Sequence, residues 1–367
     1  MKRLLALLLL AACQAAPSTP DALPPDVLAL ADSWQPVAAL WPTAWPEALF
    51  AWPASDAQGR MRLWAANPSR APHIVALDSC QPIDVSLWPA DRDRAHLLWL
   101  DCAEDGLGLR LYHAVLGQDG VAVLAQRALS TAHTFGIAAL PLVHGSLLLA
   151  WVQGELGAEQ AWALRLDGQG RGLLRQQVAR SVRQVALLRG PDGAAHLLAQ
   201  DDEERLTFYR LDDEATLAWS EAQALGVGRA RRYGEARSRL QAAPSDEGLL
   251  LFWQWQDGAR AWVEWAVWPW EGQSNPPEAL RVLGQQPVVW ARLAQGSSIP
   301  VLAAQWGQTL GLLRWTGQGF VGHPLAQAQA LADPPLALLR PSGGLLTWTE
   351  VRDPLADLRL LVWPDAE

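Results

Sequence analysis

The chain has 367 residues and a formal net charge of −9 at pH 7, with 50% of its residues hydrophobic. That length is ample for a large core, and the acidic balance excludes the basic surface that nucleic-acid binders present. Lys2 is the only lysine, so all other positive charge rests on arginine and histidine, and 21 tryptophans stand against five phenylalanines and three tyrosines.

The first element is short and apolar. Met1-Lys2-Arg3 precede Leu4 to Leu10 and then Ala11-Ala12-Cys13. Two cations, an apolar run and small residues before a cut site form a secretory signal. The run is about nine residues, against roughly 20 for a helix that crosses a bilayer. Leu10-Ala11-Ala12-Cys13 resembles the lipobox of bacterial lipoproteins. The resemblance implies removal of residues 1–12, a diacylglyceryl thioether on Cys13 and acylation of the new amino group. It also implies a cell-envelope address, lipid-held and facing the periplasm or the exterior. Gln14, standing where Asp would retain the chain, points to the outer membrane of a Gram-negative host. After Cys13, residues 14–26 hold four prolines and few large apolar groups. They read as an extended tether that reaches roughly 40 Å at about 3.1 Å per residue.

From residue 27 to 367 the chain reads as a single domain built from one repeated unit. Its mark is an apolar run about every 50 residues: Ala48 to Trp52, His96 to Trp99, Leu147 to Trp151, His196 to Ala199, Leu249 to Trp253, Val301 to Ala304 and Leu345 to Trp348. Each is followed by a polar turn and a second strand-like run, such as Leu109 to Tyr112 or Ala163 to Leu166. Each is preceded by an apolar run that often ends near Pro, such as Val85 to Pro89. Short strands between Gly, Asp and Pro turns argue all-β. A repeated four-stranded unit of this length predicts a seven-bladed β-propeller. A pair of β-sandwiches does not predict seven equal periods, and a β-helix coil is shorter. The seventh unit ends at Trp363 without an outer strand, while Val27-Leu28-Ala29-Leu30 precedes the first unit unassigned. A strand at about 27–31 is therefore predicted to complete the last blade and close the ring.

Trp52, Trp99, Trp151, Trp253, Trp306 and Trp348 recur at or just past the end of these runs. Repetition favours packing between blades over a ring of aromatic platforms for sugars. Trp253, Trp255, Trp262, Trp265, Trp268 and Trp270 are denser and alternate along a strand pair. From these, Trp255, Trp268 and Trp270 are candidates for an exposed aromatic patch.

Cys80 and Cys102 remain after Cys13, an even pair in an exported chain, and the predicted topology brings them together as a disulfide. Acidic loops follow the apolar runs at Asp101, Glu104 and Asp105, at Glu155 and Glu159, and at Asp201 to Glu204. None has the spacing of a calcium loop, and they read as solvated turns. A basic stretch with Arg229, Arg231, Arg232, Tyr233 and Arg237 precedes the fifth unit. It is a candidate surface for an anionic group or for ion pairs with the acidic loops. His96 and His196 stand at equivalent places in two units, which speaks for a structural role. No metal spacing, phosphate loop or nucleophile motif is present, so no catalytic residue, metal or cofactor is assigned.

Gly190-Pro191-Asp192-Gly193-Ala194-Ala195-His196-Leu197-Leu198 resembles the repeats of sialidase-type propellers, and the resemblance extends over most of residues 27–363. The Ser and aromatic partners of the Asp-box are missing beside Asp167-Gly168 and Asp212-Asp213, so sialidase activity is not carried over. In outline the chain also looks like the propeller lipoprotein of the outer-membrane β-barrel assembly machinery, without that family's quinoprotein-type repeats. The reading is a monomeric, membrane-anchored binding or scaffold propeller meeting an envelope protein or a glycan. A propeller glycoside hydrolase or lyase acting on an extracellular polysaccharide is the alternative.

Overall fold

The computed structural model describes residues 27–364 apart from the segments 33–37, 41–44, 46, 68–69, 71, 77–78, 81, 92, 104–105, 107, 156, 191, 204, 221–222, 228–236, 258–259, 270–277, 283–285, 296–298, 330, 332–333, 341–342 and 353–354. Cys13 and the tether therefore lie outside the described residues. Among the described residues the strands form seven antiparallel sheets, and no helix is long and apolar enough to cross a membrane.

Sheets I to VII follow chain order, and their strands are counted from the inside outward. Sheet II shows the plan: Ile83–Pro89, Arg94–Cys102, Leu109–Gly117 and Ala122–Ala128 pair in sequence. Sheet III repeats it with Thr134–Pro141, Leu147–Gln153, Gln160–Leu166 and Gly172–Arg180. The second strand is buried along its whole length in sheet III, whereas the outer strand is mostly exposed. A strand covered on both faces needs apolar residues on both faces. That is why the second strands read as leucine-rich runs rather than as an alternation.

Each sheet packs face to face on the next. Leu49 and Leu63 meet Leu97 and Trp99 between sheets I and II. Leu100 and Leu111 meet Leu147 and Trp151 between II and III. Val152 meets Val185 and Leu197 between III and IV, and Leu198 meets Leu249 and Trp253 between IV and V. Phe252 meets Leu302 and Trp306 between V and VI, and Leu310 meets Leu346 and Trp348 between VI and VII. The series returns to its start, because Leu336 and Leu345 of sheet VII pack on Ala39 and Phe50 of sheet I. Of the six recurrent tryptophans, five are buried in these seams and Trp52 is partly buried.

The chain ends join the ring. Sheet VII consists of Leu336–Arg340, Gly343–Arg352, Leu355–Pro364 and, outermost, Val27–Asp32. The register runs from Val27 opposite Leu361 to Asp32 opposite Asp357. Two sheets depart from the four-strand plan. In sheet IV the outer place is shared by Ala218–Trp219 and Gln223–Val227, where the chain turns at Leu217 with a φ of 53°. In sheet VI a short strand, Arg281–Val282, pairs ahead of the inner strand Gln286–Leu293.

Near the axis, inner strands are joined by side-chain amides. Gln184 accepts from the Leu240 N–H at 2.7 Å. Gln241 donates to the Ala291 carbonyl at 3.2 Å and accepts from the Leu293 N–H at 2.8 Å. These contacts satisfy backbone groups that no strand partner reaches.

The strand order also gives the ring two faces. First-to-second and third-to-outer turns lie on one face, termed upper here, and second-to-third turns lie on the lower face. Neighbouring sheets agree: a Cβ on Gly168, in a third-to-outer turn, would meet Asp91 and the His144 carbonyl, both in first-to-second turns.

One upper-face seam contains a buried histidine pair. Nε2 of His96 lies 3.1 Å from the Gly145 carbonyl, which only accepts, so this nitrogen carries the proton. Nδ1 of neutral His96 then accepts from Nε2 of His113 at 3.1 Å. Nδ1 of His113 is left as a buried lone pair without a hydrogen bond. Burial holds both rings below the ordinary value of 6.5, His113 furthest, and the neighbouring ring and Arg127 press it down as well.

Two outcomes follow from this architecture. Depressed folded-state values mean that the unfolded chain takes up protons first. The contribution of the histidine pair is full above pH 6.5 and is lost as pH falls from there toward the folded-state values. Melting temperatures measured between pH 8 and 5 should drop below 6.5, and a His96→Gln, His113→Leu double variant should flatten that drop. Separately, deleting Val27–Asp32 should lower the melting temperature sharply, because it strips the outer edge of sheet VII. An unchanged melt would count against ring closure by this strand.

Candidate functional site

The residues singled out from sequence fall in different places. Arg229, Arg231, Arg232, Tyr233 and Trp270 lie outside the described residues, as does the side chain of Arg237. Nearby Arg239 pairs with Asp84 at 3.5 Å. Trp255 is 7% exposed and stacks on Trp262 with ring centroids 6.1 Å apart, which corrects its place in an exposed patch. It lies in the seam between sheets IV and V, where the neighbouring sheet covers the strand face that alternation assigns to solvent. Trp268 is partly buried against the same cluster.

The acidic turns are likewise not all solvated. Glu159 is buried and forms an ion pair with Arg183 while accepting the Gly157 N–H at 2.9 Å. Asp101 is buried beside a disulfide between Cys80 and Cys102, which tie the start of the inner strand of sheet II to the end of its second strand. Its carboxylate accepts the Cys80 N–H at 3.1 Å and the Cys102 N–H at 2.8 Å. These three residues place potential ligand atoms within 4.8 Å of one another. The sulfurs are bonded to each other, however, so no thiolate is offered to a metal.

A better candidate emerges from how the upper-face seams are sealed. Between sheets I and II, Asn67 donates to the Gln118 carbonyl at 3.0 Å. Between II and III, Arg127 donates to the Gly170 carbonyl. Between III and IV, Arg165 donates to the Glu214 carbonyl at 3.0 Å. In each case a donor of one sheet closes on the third-to-outer turn of the next.

Sheet V shows no such bond to the turn of sheet VI among the described residues. In sheet III, Arg165 pairs with Leu148, three residues before Trp151. In sheet I, Asn67 follows Ala66, the partner of Phe50, and so falls opposite the same point relative to Trp52. Three residues before Trp253 is Leu250, and it pairs with Val267. Valine has no donor to offer, as is equally true of Val115, Leu312 and Val362 at the matching place of sheets II, VI and VII, and a groove of about 390 Å³ opens between sheet V and the third-to-outer turn of sheet VI. This volume lies in the range of small-ligand sites.

Trp265, on the third strand Arg260–Pro269, forms one wall. Its ring is fixed edge-to-face by Phe320 at 5.5 Å and by Trp315 at 5.3 Å. Leu280 and Phe320 are buried in the lining. Glu278 and Arg281 stand exposed at the rim, with Thr316 and Gln318 on the turn of sheet VI. Neither Glu278 nor Arg281 has an ion-pair partner among the described residues. The groove therefore presents a held indole, a free carboxylate and a free guanidinium. The carboxylate accepts hydroxyl protons, the guanidinium donates to oxygen, and the indole packs an apolar ring face. Trp265 belongs to the tryptophan cluster that the sequence marks as an aromatic patch, whereas nothing in the sequence singles out Glu278 and Arg281.

No protein-family profile matches the chain, and no curated protein matches it by sequence. Among solved structures, an ulvan lyase of polysaccharide lyase family PL25, bound to -[GlcA(1-4)Rha3S]-, is similar over 90% of this chain and 92% of its own, with a TM-score of 0.56 and 13% identity. Another PL25 ulvan lyase structure gives 0.55 and 12% over the same shares. A fucose-specific lectin from Aleuria aurantia is more distant, at 0.45 and 10% over 79% of this chain and 94% of its own. At these identities the likeness is one of fold, and the fold is a β-propeller.

The disulfide has a measurable consequence. It closes a loop of 22 residues, worth about 3 kcal/mol in the chain-entropy picture. Replacing both cysteines by serine should lower unfolding free energy in denaturant titrations by about that amount. Thiols that react in the unreduced, folded protein would show that the bond is absent.

Proposed function

We propose that this chain is a seven-bladed propeller, anchored in the cell envelope through lipid on Cys13, that binds a glycan in the groove between sheets V and VI. Seven sheets with cyclic packing support the blade count. The Leu10-Ala11-Ala12-Cys13 box supports the anchor. The single observation that carries the binding reading is the groove itself, in which a held Trp265 faces one open space together with the exposed Glu278 and Arg281. A sugar offers what these groups complement: an apolar C–H face for the indole and hydroxyls that both donate and accept.

The test is a glycan array probed with the full-length protein, followed by titration of any hit. Arg281→Ala removes an exposed guanidinium at the rim and should leave the melt unchanged. As a hot-spot contact it should cost about 2 kcal/mol, roughly thirty-fold in Kd. Glu278→Ala, also at an exposed rim position, should weaken binding by a similar factor with the melt unchanged. Retained binding in both variants would move the site away from this groove. Release of unsaturated or reducing ends from a polysaccharide would replace the binding reading with an enzymatic one.

A further inference from the structure

The large hydrophobic side chains that stay exposed are not scattered over the ring. Among the described residues there are eight, and all lie at the upper face. Val143 and Ile299 are in first-to-second turns. Val121 closes a third-to-outer turn. Ile74, Val123, Leu173, Leu174 and Val321 fall within the first three residues of outer strands, which start at that face. The lower face carries none of them. Its turns hold ion pairs such as Arg60 with Asp56 and Arg205 with Asp201.

The chain enters the ring at the same face. The third strand of sheet VII, Leu355–Pro364, runs from the lower to the upper face. Val27 pairs with Leu361 near its end and Asp32 with Asp357 near its start, antiparallel. Val27 therefore stands at the upper face. The tether of residues 14–26 reaches at most roughly 40 Å beyond that point.

From these two observations we infer that the upper face of the ring docks on the bilayer that holds the Cys13 lipid, with its exposed valines and leucines set into the headgroup region. The inference rests on the lipid-anchor reading given above. One-sided apolar exposure on a soluble fold marks an interaction surface, and a second contact is what turns acyl anchoring into stable seating. Some arginines of the upper face are neutralised: Arg210 is bound by Asp192 and Asp212, and Arg171 by Asp167. The proposed seating is apolar, so zwitterionic lipid is the probe. Val321 belongs both to this apolar set and to the rim of the groove, so docking presents the groove along the membrane surface.

The experiment uses the full-length lipidated protein in phosphatidylcholine vesicles, with hydrogen exchange compared against the same protein in detergent. The turns around Val121, Val143 and Leu173 should slow several-fold in vesicles, and the Asp56–Arg60 turn should not change. Val123→Glu with Leu173→Glu, both exposed sites, should abolish that protection while leaving the melt and vesicle co-sedimentation unchanged. Co-sedimentation without upper-face protection, or with protection of the lower turns, overturns the docking and leaves the anchor standing. An intact mass showing no lipid on Cys13 overturns the anchor, and the docking with it.

Discussion

The pairing of Val27–Asp32 with Leu355–Pro364 is the constraint on which the rest of the molecule depends. A sheet covered on both faces is stable only where it has a neighbour on each side, so a row of such sheets must close into a ring. Here the first and last sheets meet at Phe50, Leu336 and Leu345. The amino-terminal strand then joins the two ends of the chain in one sheet by backbone hydrogen bonds. Removing it would expose a strand edge and free the end of the chain that seats the last sheet.

Closure makes the seams between sheets the places where function can be written. The second and third strands are held to one pattern by packing, and Trp99 and Trp151 show how completely the wedge between sheets is filled. What varies is the upper, outer end of each seam. Asn67, Arg127 and Arg165 each close it with one hydrogen bond to a turn carbonyl. Between sheets V and VI no such bond is made among the described residues, and the space there is lined by an indole together with Glu278 and Arg281. A groove of this kind costs the ring little, because the core beneath it stays intact through Leu280 and Phe320.

Much of this architecture was legible. The repeat, the outer strand borrowed from the amino terminus, and the place of the recurrent tryptophans all follow from periodic apolar runs. The misses have a common cause. Alternation along Trp253 to Trp270 separates the two faces of a strand pair but does not say whether a face is covered, and in a ring both are. Trp255 was therefore read as exposed and lies stacked in a seam. Glu159 and Asp101 sit in acidic loops that look solvated one at a time, yet each meets partners that are distant in sequence or brought close by the disulfide.

By itself the sequence determined the class of fold, the number of repeated runs and the pairing of Cys80 with Cys102, because period and spacing are properties of the chain. Only the tertiary structure decided which seam stays open and which face carries the exposed valines and leucines. Those depend on register between sheets and on which turn of one sheet lies over which strand of the next. A donor such as Arg165 carries no meaning until its position is seen to face a turn carbonyl of the next sheet.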